Sequence, residues 1–508
     1  MIRLIDNALN RITMYRLVLY YLVTLTLAAF VFGFFGILPY DPTAIAFSVI
    51  LITATCWITN WVFARTFSAA TNVESVYITA LILALVITPV TAANHAGVGF
   101  LIFASVWAMA SKYIFAIGKK HLFNPVAFAV ALTAIVINQP AVWWVAGNIA
   151  FLPIVLIGGL LLVRKIQRFD LVLSFSAIAF VTIIVTSAAP TTGDYFTPII
   201  QTLLHSSFFF FAFVMLTEPL TTPPNRMLRI AYGAFVGFLF APNIHLGGLY
   251  MTPELALLGG NIFSYIVSPK GRYMLTLTNI EHMANDVYDF VFTSDRRFDF
   301  RPGQYLEWTL GHRYADDRGN RRYFTIASSP TEERVRLGVK FYNPASTFKR
   351  ALGSMKVGST ISASHLSGGF VLPKKRDKKL VFIAGGIGIT PFRSMIQYLL
   401  DMKEARPVVI LYANKTAADV AYKDILDRAR TELGIKTIYS LSAEKDPIPG
   451  MINAPLDARL IAREIPDYRE RIFYISGPHG MVDAFKHTLV SMGVSRFRIK
   501  SDFFPGFV

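Results

Sequence analysis

The sequence predicts a polytopic α-helical membrane domain followed by a small β-barrel and a doubly wound α/β domain, and three observations carry that expectation. The first is a break in composition. The 508-residue chain is 54% hydrophobic and 16% charged, with a mean hydropathy of +0.48, but these figures average two unlike halves. Residues 1–269 hold 12 Lys+Arg and 7 Asp+Glu, whereas residues 270–508 hold 37 and 25. The second is a series of apolar runs in the first half, each near the ~20 residues that cross a bilayer as helix. The third is a change of period after Arg272, first to two-residue alternation and then to strands alternating with helices. The implied boundaries are 1–269, 270–376 and 377–508.

About ten apolar runs are expected as helices, near 15–38, 43–64, 74–90, 96–117, 122–138, 142–163, 170–188, 199–218, 227–242 and 252–268. Residues 1–16 read as an amphipathic lead-in, with no signal peptide evident. Alternate loops carry Arg65, then Lys119 and Lys120, then Arg164, Lys165 and Arg168, then Arg226 and Arg229, then Lys270 and Arg272. The intervening loops, around Tyr40, Asn94, Gln139, Thr192 and His245, carry neither Lys nor Arg. That asymmetry predicts a multi-pass protein of the cell (inner) membrane with both termini and the second half in the cytoplasm.

The runs also repeat. The third ends in "VITPVTAANHAG" and the eighth in "MLTEPLTTPPNR"; the fifth begins "LFNPVAFAVAL" and the tenth "YMTPELALLGG". Units five helices apart face opposite ways, so the expected arrangement is an inverted repeat of five plus five. "TEPLTTPPN" should then meet the start of the fifth helix at Asn124-Pro125, and "ITPVTAAN" the start of the tenth at Thr252-Pro253. Polar, proline-interrupted backbone at membrane depth is tolerated where it is buried in protein or lines a cavity. A pocket near each face follows. Lys119, Lys120 and His121 beside the inner one suit a phosphate, or equally serve as a positive-inside anchor.

In the second half, "YMLTLTNIEH", "VYDFVFTS", "YLEWTL", "RLGVKFY" and "STISASHL" alternate as the strands of a small barrel. From Leu380, "LVFIAGG", "PFRSMIQYLLDM", "PVVILYANK", "YKDILDRARTEL", "RIFYISGP" and "MVDAFKHTLVSMG" give a parallel sheet wound with helices. A buried strand, then Gly385, Gly386 and Gly388, then Thr390-Pro391 opening a helix, presents a nucleotide phosphate to a helix N-terminus.

With those motifs in order, residues 271–508 resemble the ferredoxin–NADP reductase family. "RRYFTIASSP" is similar to the family's flavin signature. By that resemblance Arg322 meets the pyrophosphate of FAD, Tyr323 and Phe324 belong to the flavin-binding strand with Phe324 against the ring system, and Thr325 bonds near the reactive nitrogen. "NPASTFKRAL" and "SGGFVLP" resemble further FAD segments and suggest Ser346 and Gly369. "GGIGITP" resembles the nicotinamide-nucleotide loop, and "YISGPHGMVDA" its second segment, with Ser476, Gly477 and Pro478. Many relatives carry Cys where Ser476 stands, and a hydroxyl still orients a nicotinamide. Thr325 and Ser476 are the expected catalytic pair. Between NADH and NADPH the sequence is balanced: Lys415 could face a 2′-phosphate and Asp419 a free ribose hydroxyl, with a slight lean to NADH.

"SKYIFAIGKKHLFNPVAF", "FVMLTEPLTTPPNRMLRIAYGAFVGFLF" and "LGGLYMTPELALLGGNIF" resemble the flavin-bearing membrane subunit of sodium-pumping NADH:quinone oxidoreductase and its counterpart in the Rnf ferredoxin complex. The resemblance implies FMN or riboflavin within the bundle, near Lys120, Asn124, Thr217, Thr221 and Thr222, and a covalent flavin on an outer threonine. Thr197 stands in the matching place, but Asp194-Tyr195-Phe196 replaces the family's Ser-Gly-Ala, which argues against attachment. Haem is disfavoured, since His95, His121, His205 and His245 are not spaced for stacked haems. Cys56 is the only cysteine, so one chain builds no cysteine-ligated cluster, and no metal site is expected. No recognition motif supports nucleic acid.

The expected function is a flavin-dependent NAD(P)H dehydrogenase passing electrons through FAD to a membrane flavin and on to a quinone or an outer acceptor. The alternative is a nucleotide-regulated transporter, or an ion pump coupled to the same redox chain. Membrane acids are few, namely Glu74, Asp194, Glu218 and Glu254.

Overall fold

The fold was described from a computed structural model. It covers the whole chain except residues 1–4, 6–8, 10, 11, 68–72, 118, 119, 188–192, 269–271, 298, 313–315, 317–319 and 503–508. The side chains of Lys120 and Leu246 are likewise left aside, and Lys119, Thr192 and Lys270 lie outside the described residues. The chain divides into two compact units, Met1–Ser268 and Pro269–Phe504.

In the first unit the apolar runs become helices α1 (Met14–Phe34), α2 (Pro42–Thr66), α3 (Val73–Val86), α4 (His95–Ile114), α5 (Pro125–Ile137), α6 (Leu152–Ile166), α7 (Phe169–Thr186), α8 (Phe196–His205), α9 (Phe208–Met215), α10 (Arg226–Phe240) and α11 (Pro253–Val267). Among the described residues five spans are long and apolar enough to cross a membrane, namely α1, α2, α4, α6 with the turn before it, and α7, or six if the bent pair α8 and α9 counts as one. The eighth run, expected as one helix, is two, with α8 and α9 bent by 70°. At the bend Ser206 Oγ donates to Thr202 O at 2.5 Å and accepts from Phe208 N at 3.2 Å. A serine side chain that takes over backbone partners in this way competes with the helical ladder.

The helices that the proline motifs introduce are short. Asn124 caps α5, which has 13 residues, by accepting from Val126 N and Ala127 N at 3.1 Å. Thr252 caps α11, which has 15 residues, by accepting from Leu255 N at 3.4 Å. Proline stands in the first turn of both, where its missing N–H costs nothing and its φ is already helical. Each is preceded by a two-residue antiparallel pair, Ala116–Ile117 with Lys120–His121 and His245–Leu246 with Leu249–Tyr250. The same series of hairpin, cap, proline and short helix therefore occurs twice. α10 lies on α7 through Gly233 and Gly237. A Cβ at Gly237 would come within 2.4 Å of Phe175 O, the close approach that small residues four apart permit between membrane helices.

The second unit opens with an antiparallel sheet of β1 (Arg272–Ala284), β2 (Val287–Ser294), β3 (Tyr305–Thr309), β4 (Arg321–Thr325), β5 (Val335–Lys340) and β6 (Thr360–Ser367), in the order β4-β3-β6-β1-β2-β5. Helix α12 (Thr347–Gly353) follows β5. Leu275, Leu277, Phe290, Phe292, Trp308 and Leu337 fill its core, the inward positions of the two-residue alternation.

A parallel sheet follows, of β7 (Leu380–Gly385), β8 (Val408–Asn414), β9 (Lys436–Leu441), β10 (Met451–Ile452), β11 (Ile472–Ser476) and β12 (Ile499–Ser501), in the order β10-β9-β8-β7-β11-β12. Helices α13 (Thr390–Asp401), α14 (Lys423–Leu433), α15 (Ala458–Glu464) and α16 (His479–Ser491) connect it. β7 is wholly buried, as expected of a central parallel strand covered on both faces. The chain winds outward from β7 to β10 and then returns to β11 on the other side of β7. The crevice at the C-terminal ends of β7 and β11 is the switch point where such sheets bind ligands.

Candidate functional site

At the switch point glycines let two loops approach closely. A Cβ at Gly388 would lie 2.3 Å from Ser476 O and 2.6 Å from Gly477 N, and one at Gly385 would lie 2.1 Å from Met481 Sδ. The loops after β7 and β11 thus touch through bare backbone. Gly386 has φ +51 and open space where its Cβ would be, so the turn leaves room for a ligand at that point. Thr390 and Pro391 open α13. These are the residues of the expected nucleotide loop, and the fold brings them together with Ser476, Gly477 and Pro478. Ser476 is buried, and its Oγ donates to Asp502 Oδ2 at 3.3 Å. Asp502 gave no sequence signal beyond its place after the last strand.

The antiparallel sheet meets this turn at Gly338 of β5, where a Cβ would come 2.5 Å from Tyr422 Oη and 2.8 Å from Thr390 Cγ2. Arg393, at 5% exposure, pairs through both terminal nitrogens with Glu332 and donates to Ala327 O at 3.1 Å, which ties the two sheets together. Arg336 bonds the fully buried Asp289 at 2.9 Å and Glu281 at 2.7 Å. Burial pushes the Asp289 carboxyl up, against the pull of Arg336.

The flavin-signature strand is β4. Arg322 and Phe324 turn to one face, toward α12: the Arg322 guanidinium lies 5.3 Å from the Phe348 ring centre, and the Phe324 and Phe348 rings are 5.9 Å apart. Tyr323 turns to the other face, where its hydroxyl donates to Glu307 at 2.8 Å beside Tyr305. Arg322 is buried and donates to Asp316 Oδ1 at 2.9 Å, and Asp316 Oδ2 accepts from Thr347 N at 3.1 Å. Burial would raise the Asp316 carboxyl, but Arg322 and Thr347 outweigh it and hold it below the usual carboxylate range. Ser346 caps α12 by accepting from Lys349 N at 3.3 Å. Thr325 is buried, and a Cβ at Gly369 would meet nothing within 4 Å. A guanidinium beside hydroxyls and a helix start suits a pyrophosphate, so the residues present fit FAD.

In the first unit the fold brings "TEPLTTPPN" to Asn124-Pro125, as expected. Asn124 Nδ2 donates to Glu218 Oε2 at 2.9 Å, and His121 Nε2 lies 2.9 Å from Glu218 Oε1. Asn124 N donates to Asn261 Oδ1 of α11 at 2.8 Å. Beside them lies a cavity of about 90 Å³ lined by Tyr15, Ser75, Lys112, Asn124, Thr217 and Glu218 among others. Lys112, a lone lysine in the last turn of an apolar run, donates to Ser75 O and Ser75 Oγ at 3.1 Å. Its position was the one sequence signal for it. Thr217 Oγ1 is turned back to Phe213 O at 2.7 Å. Thr221 reaches Glu218 Oε2 at 3.3 Å, and Thr222 reaches Pro219 O at 3.4 Å. Thr197 is exposed on α8 and its N–H is capped by Asp194 at 3.1 Å. Among the described residues no group of three or more His, Cys, Asp or Glu is placed to hold a metal.

Comparison with known proteins finds one family match in each unit. Residues 142–268 match the NQR2, RnfD, RnfE family, and residues 382–487 match the oxidoreductase NAD-binding domain. The chain is 30% identical over 203 residues to an NADPH oxidoreductase of Mycobacterium tuberculosis, covering 39% of this chain and 50% of that protein. It is 28% identical over 236 residues to the reductase component of propane 2-monooxygenase from Rhodococcus jostii, covering 45% of this chain and 62% of that one. The chain therefore spans less than two thirds of these relatives' own length. The FAD/NAD-binding domain of a Vibrio cholerae nitric oxide dioxygenase aligns with 46% of this chain and 98% of its own, at a TM-score of 0.42 and 20% identity. The chain thus carries a stretch similar to the NQR2, RnfD, RnfE family followed by one similar to the oxidoreductase NAD-binding domain.

Proposed function

We propose, for a chain that fuses these two modules, a membrane-bound NAD(P)H dehydrogenase in which electrons pass from NAD(P)H through FAD to a flavin in the membrane unit and on to a quinone or an outer acceptor. The observation that carries this reading is the joined motif at Asn124 and Glu218 with Lys112 beside it. The cavity at the start of α5 is lined mainly by apolar side chains, with Lys112, Asn124, Thr217 and Glu218 among its few polar groups, which is the usual lining of a small-molecule or cofactor site. An apolar bundle built only for anchoring would gain nothing from it.

FAD, when bound, accepts a hydride from NAD(P)H and can release electrons singly. The chain's own residues do the rest. Arg322 and the start of α12 would hold the pyrophosphate, and Thr325 would donate toward the flavin. The loop from Gly385 to Pro391 would hold the dinucleotide phosphates. The Ser476 hydroxyl, held by Asp502, would orient the nicotinamide. In the membrane unit Lys112 and His121 suit FMN or riboflavin by offering donors to an anionic ring or phosphate, and Asn124, Thr217, Thr221 and Thr222 line or brace the same place. The hydrocarbon core is about 30 Å thick, so one carrier near one face does not cross it. A quinone within the bilayer, or a second carrier near the other face, completes the path. Thr197 lacks the preceding run of an attachment site, so any flavin there is held without a covalent bond.

We place this unit in the cell membrane as an inverted repeat of five plus five helices, with both termini and the reductase module cytoplasmic. The repeated hairpin, cap and proline before α5 and α11 support the repeat, and the one-sided Lys and Arg support the orientation. Flavin extraction from the purified full chain tests the reading. More than one flavin per chain, released by acid, is expected. A single FAD with none in the membrane unit would overturn the relay and favour direct quinone reduction.

A further inference from the structure

We propose that the reductase module is built for NADH and discriminates against NADPH, with Glu444 as the deciding residue and Asn414 as a second contact to the adenosine ribose; this rests on the reading that the module oxidises a nicotinamide nucleotide. The crevice between β7 and β11 fixes the direction of the ligand. Its phosphates face the turn from Gly385 to Thr390, and its nicotinamide end faces Ser476–Pro478 after β11. The adenosine end therefore falls on the other side of β7, over the ends of β8 and β9.

Two polar side chains stand there. Gly385 pairs with Ala413 in the sheet, so Asn414 is level with Gly386 at the open turn. Asn414 is 8% exposed, and neither Oδ1 nor Nδ2 makes a hydrogen bond of good geometry, with the Tyr412 hydroxyl beside it near enough to interact. A buried amide so poorly met is costly to a fold unless a ligand completes it. Glu444 lies in the loop after β9. That loop is fixed to the end of β8 by Ser442 N on Asn414 O at 3.0 Å and Ala443 N on Lys415 O at 2.9 Å. Glu444 Oε2 accepts from Ala417 N at 2.8 Å, which holds the carboxylate over the β8 end and leaves Oε1 for a hydroxyl.

Asp419, the acid nearest in sequence to the ribose position, is already spent. Its Oδ1 accepts from Lys340 Nζ at 2.9 Å, and its Oδ2 accepts from Thr416 N at 3.2 Å and Thr416 Oγ1 at 2.9 Å. The charged groups left around the site are Lys415, Lys445 and Asp446. Lys415 and Lys445 are exposed, point charges on flexible stems rather than a preorganised fork. No arginine stands in 414–417 or 442–446 to grip a phosphate with a planar fork. A fixed carboxylate accepts from a 2′-hydroxyl and repels a 2′-phosphate. It also takes the Ala417 amide that a phosphate would use.

The test is the rate at which NADH and NADPH each reduce the flavin bound to the purified full chain. The wild type should favour NADH by about tenfold or more in kcat/KM. Glu444→Gln keeps the shape and removes the charge. It should raise kcat/KM for NADPH and lower it for NADH, shrinking the ratio by about tenfold. Asn414→Ala should raise the KM for NADH with little change in the limiting rate. A wild type that prefers NADPH would overturn the proposal, as would a Glu444→Gln variant in which both coenzymes change by the same factor, the mark of a merely structural role. Failure of both coenzymes to reduce any bound flavin would instead overturn the reading on which the proposal rests.

Discussion

Asn124 Nδ2 meets Glu218 Oε2 at 2.9 Å across a separation of 94 residues, joining the first turn of α5 to the segment after α9. The same asparagine caps α5 through its Oδ1 and bonds Asn261 through its backbone N–H. One residue thus ends a membrane loop, starts a helix and meets a half-buried carboxylate. Asn124→Ala should cost about 1–2 kcal/mol, from the lost cap and the unmet Glu218 oxygen. Asn124→Asp keeps a good cap but sets a second carboxylate beside Glu218, and should cost at least as much. Thermal melting of the two variants in detergent, with the flavin-to-protein ratio, checks this. An unchanged Asp variant would mean that the contact carries no weight.

Arg322→Ala should strip or weaken FAD and abolish NAD(P)H oxidation. It also removes the guanidinium that Asp316 meets at 2.9 Å, so part of the loss is expected to be instability. The double change Arg322→Ala with Asp316→Asn separates the two effects. It should recover folding but not FAD content, measured by absorbance after gel filtration. Normal FAD in either variant would refute the assignment of Arg322.

Gly388→Ala places a methyl group 2.3 Å from the Ser476 carbonyl oxygen, closer than any real contact. The loops after β7 and β11 must separate. The expected result is a chain that keeps FAD but loses most NAD(P)H oxidation, through KM more than through the limiting rate. Steady-state kinetics with coenzyme titration reads the split.

The link between Lys340 and Asp419 predicts a dependence on pH. Burial would raise the Asp419 carboxyl, but Lys340 and Thr416 hold it below its usual value. A group lowered by folding stabilises the fold above its unfolded pKa, near 4, and loses that contribution as pH falls through the folded value. Wild type should therefore lose stability on acidification below about pH 4. Asp419→Asn should be less stable by roughly 1 kcal/mol at neutral pH, with the gap closing in acid. Melting curves at pH 7 and pH 3 test the sign.

Single-cysteine labelling in a Cys56→Ala background tests orientation. Probes at 119 should react only from the cytoplasmic side, and probes at 192 and 245 only from outside. External labelling at 119 would overturn both the orientation and the inverted repeat.

What the sequence determined by itself is what lies close along the chain. Period-two alternation from Arg272 and the strand–helix alternation from Leu380 are local consequences of burying one face of a strand or helix. They gave both soluble layers and the Gly385–Pro391 turn. Capping and proline at Asn124-Pro125 and Thr252-Pro253 are likewise local, and they gave the short helices and their repetition. Only tertiary structure decided partners distant in sequence. It set Lys112 in the cavity beside Asn124 and Thr217, brought Asp502 to Ser476, and took Asp419 away from the ribose by pairing it with Lys340, 79 residues earlier. It also bent the eighth run at Ser206, where a hydrogen bond of a few ångströms outweighs a continuous apolar pattern. The physical reason is range. Helix and strand signals repeat within a few residues, whereas a buried charge or amide is satisfied by whichever group the packing brings within about 3 Å, and no pattern in the chain encodes that distance.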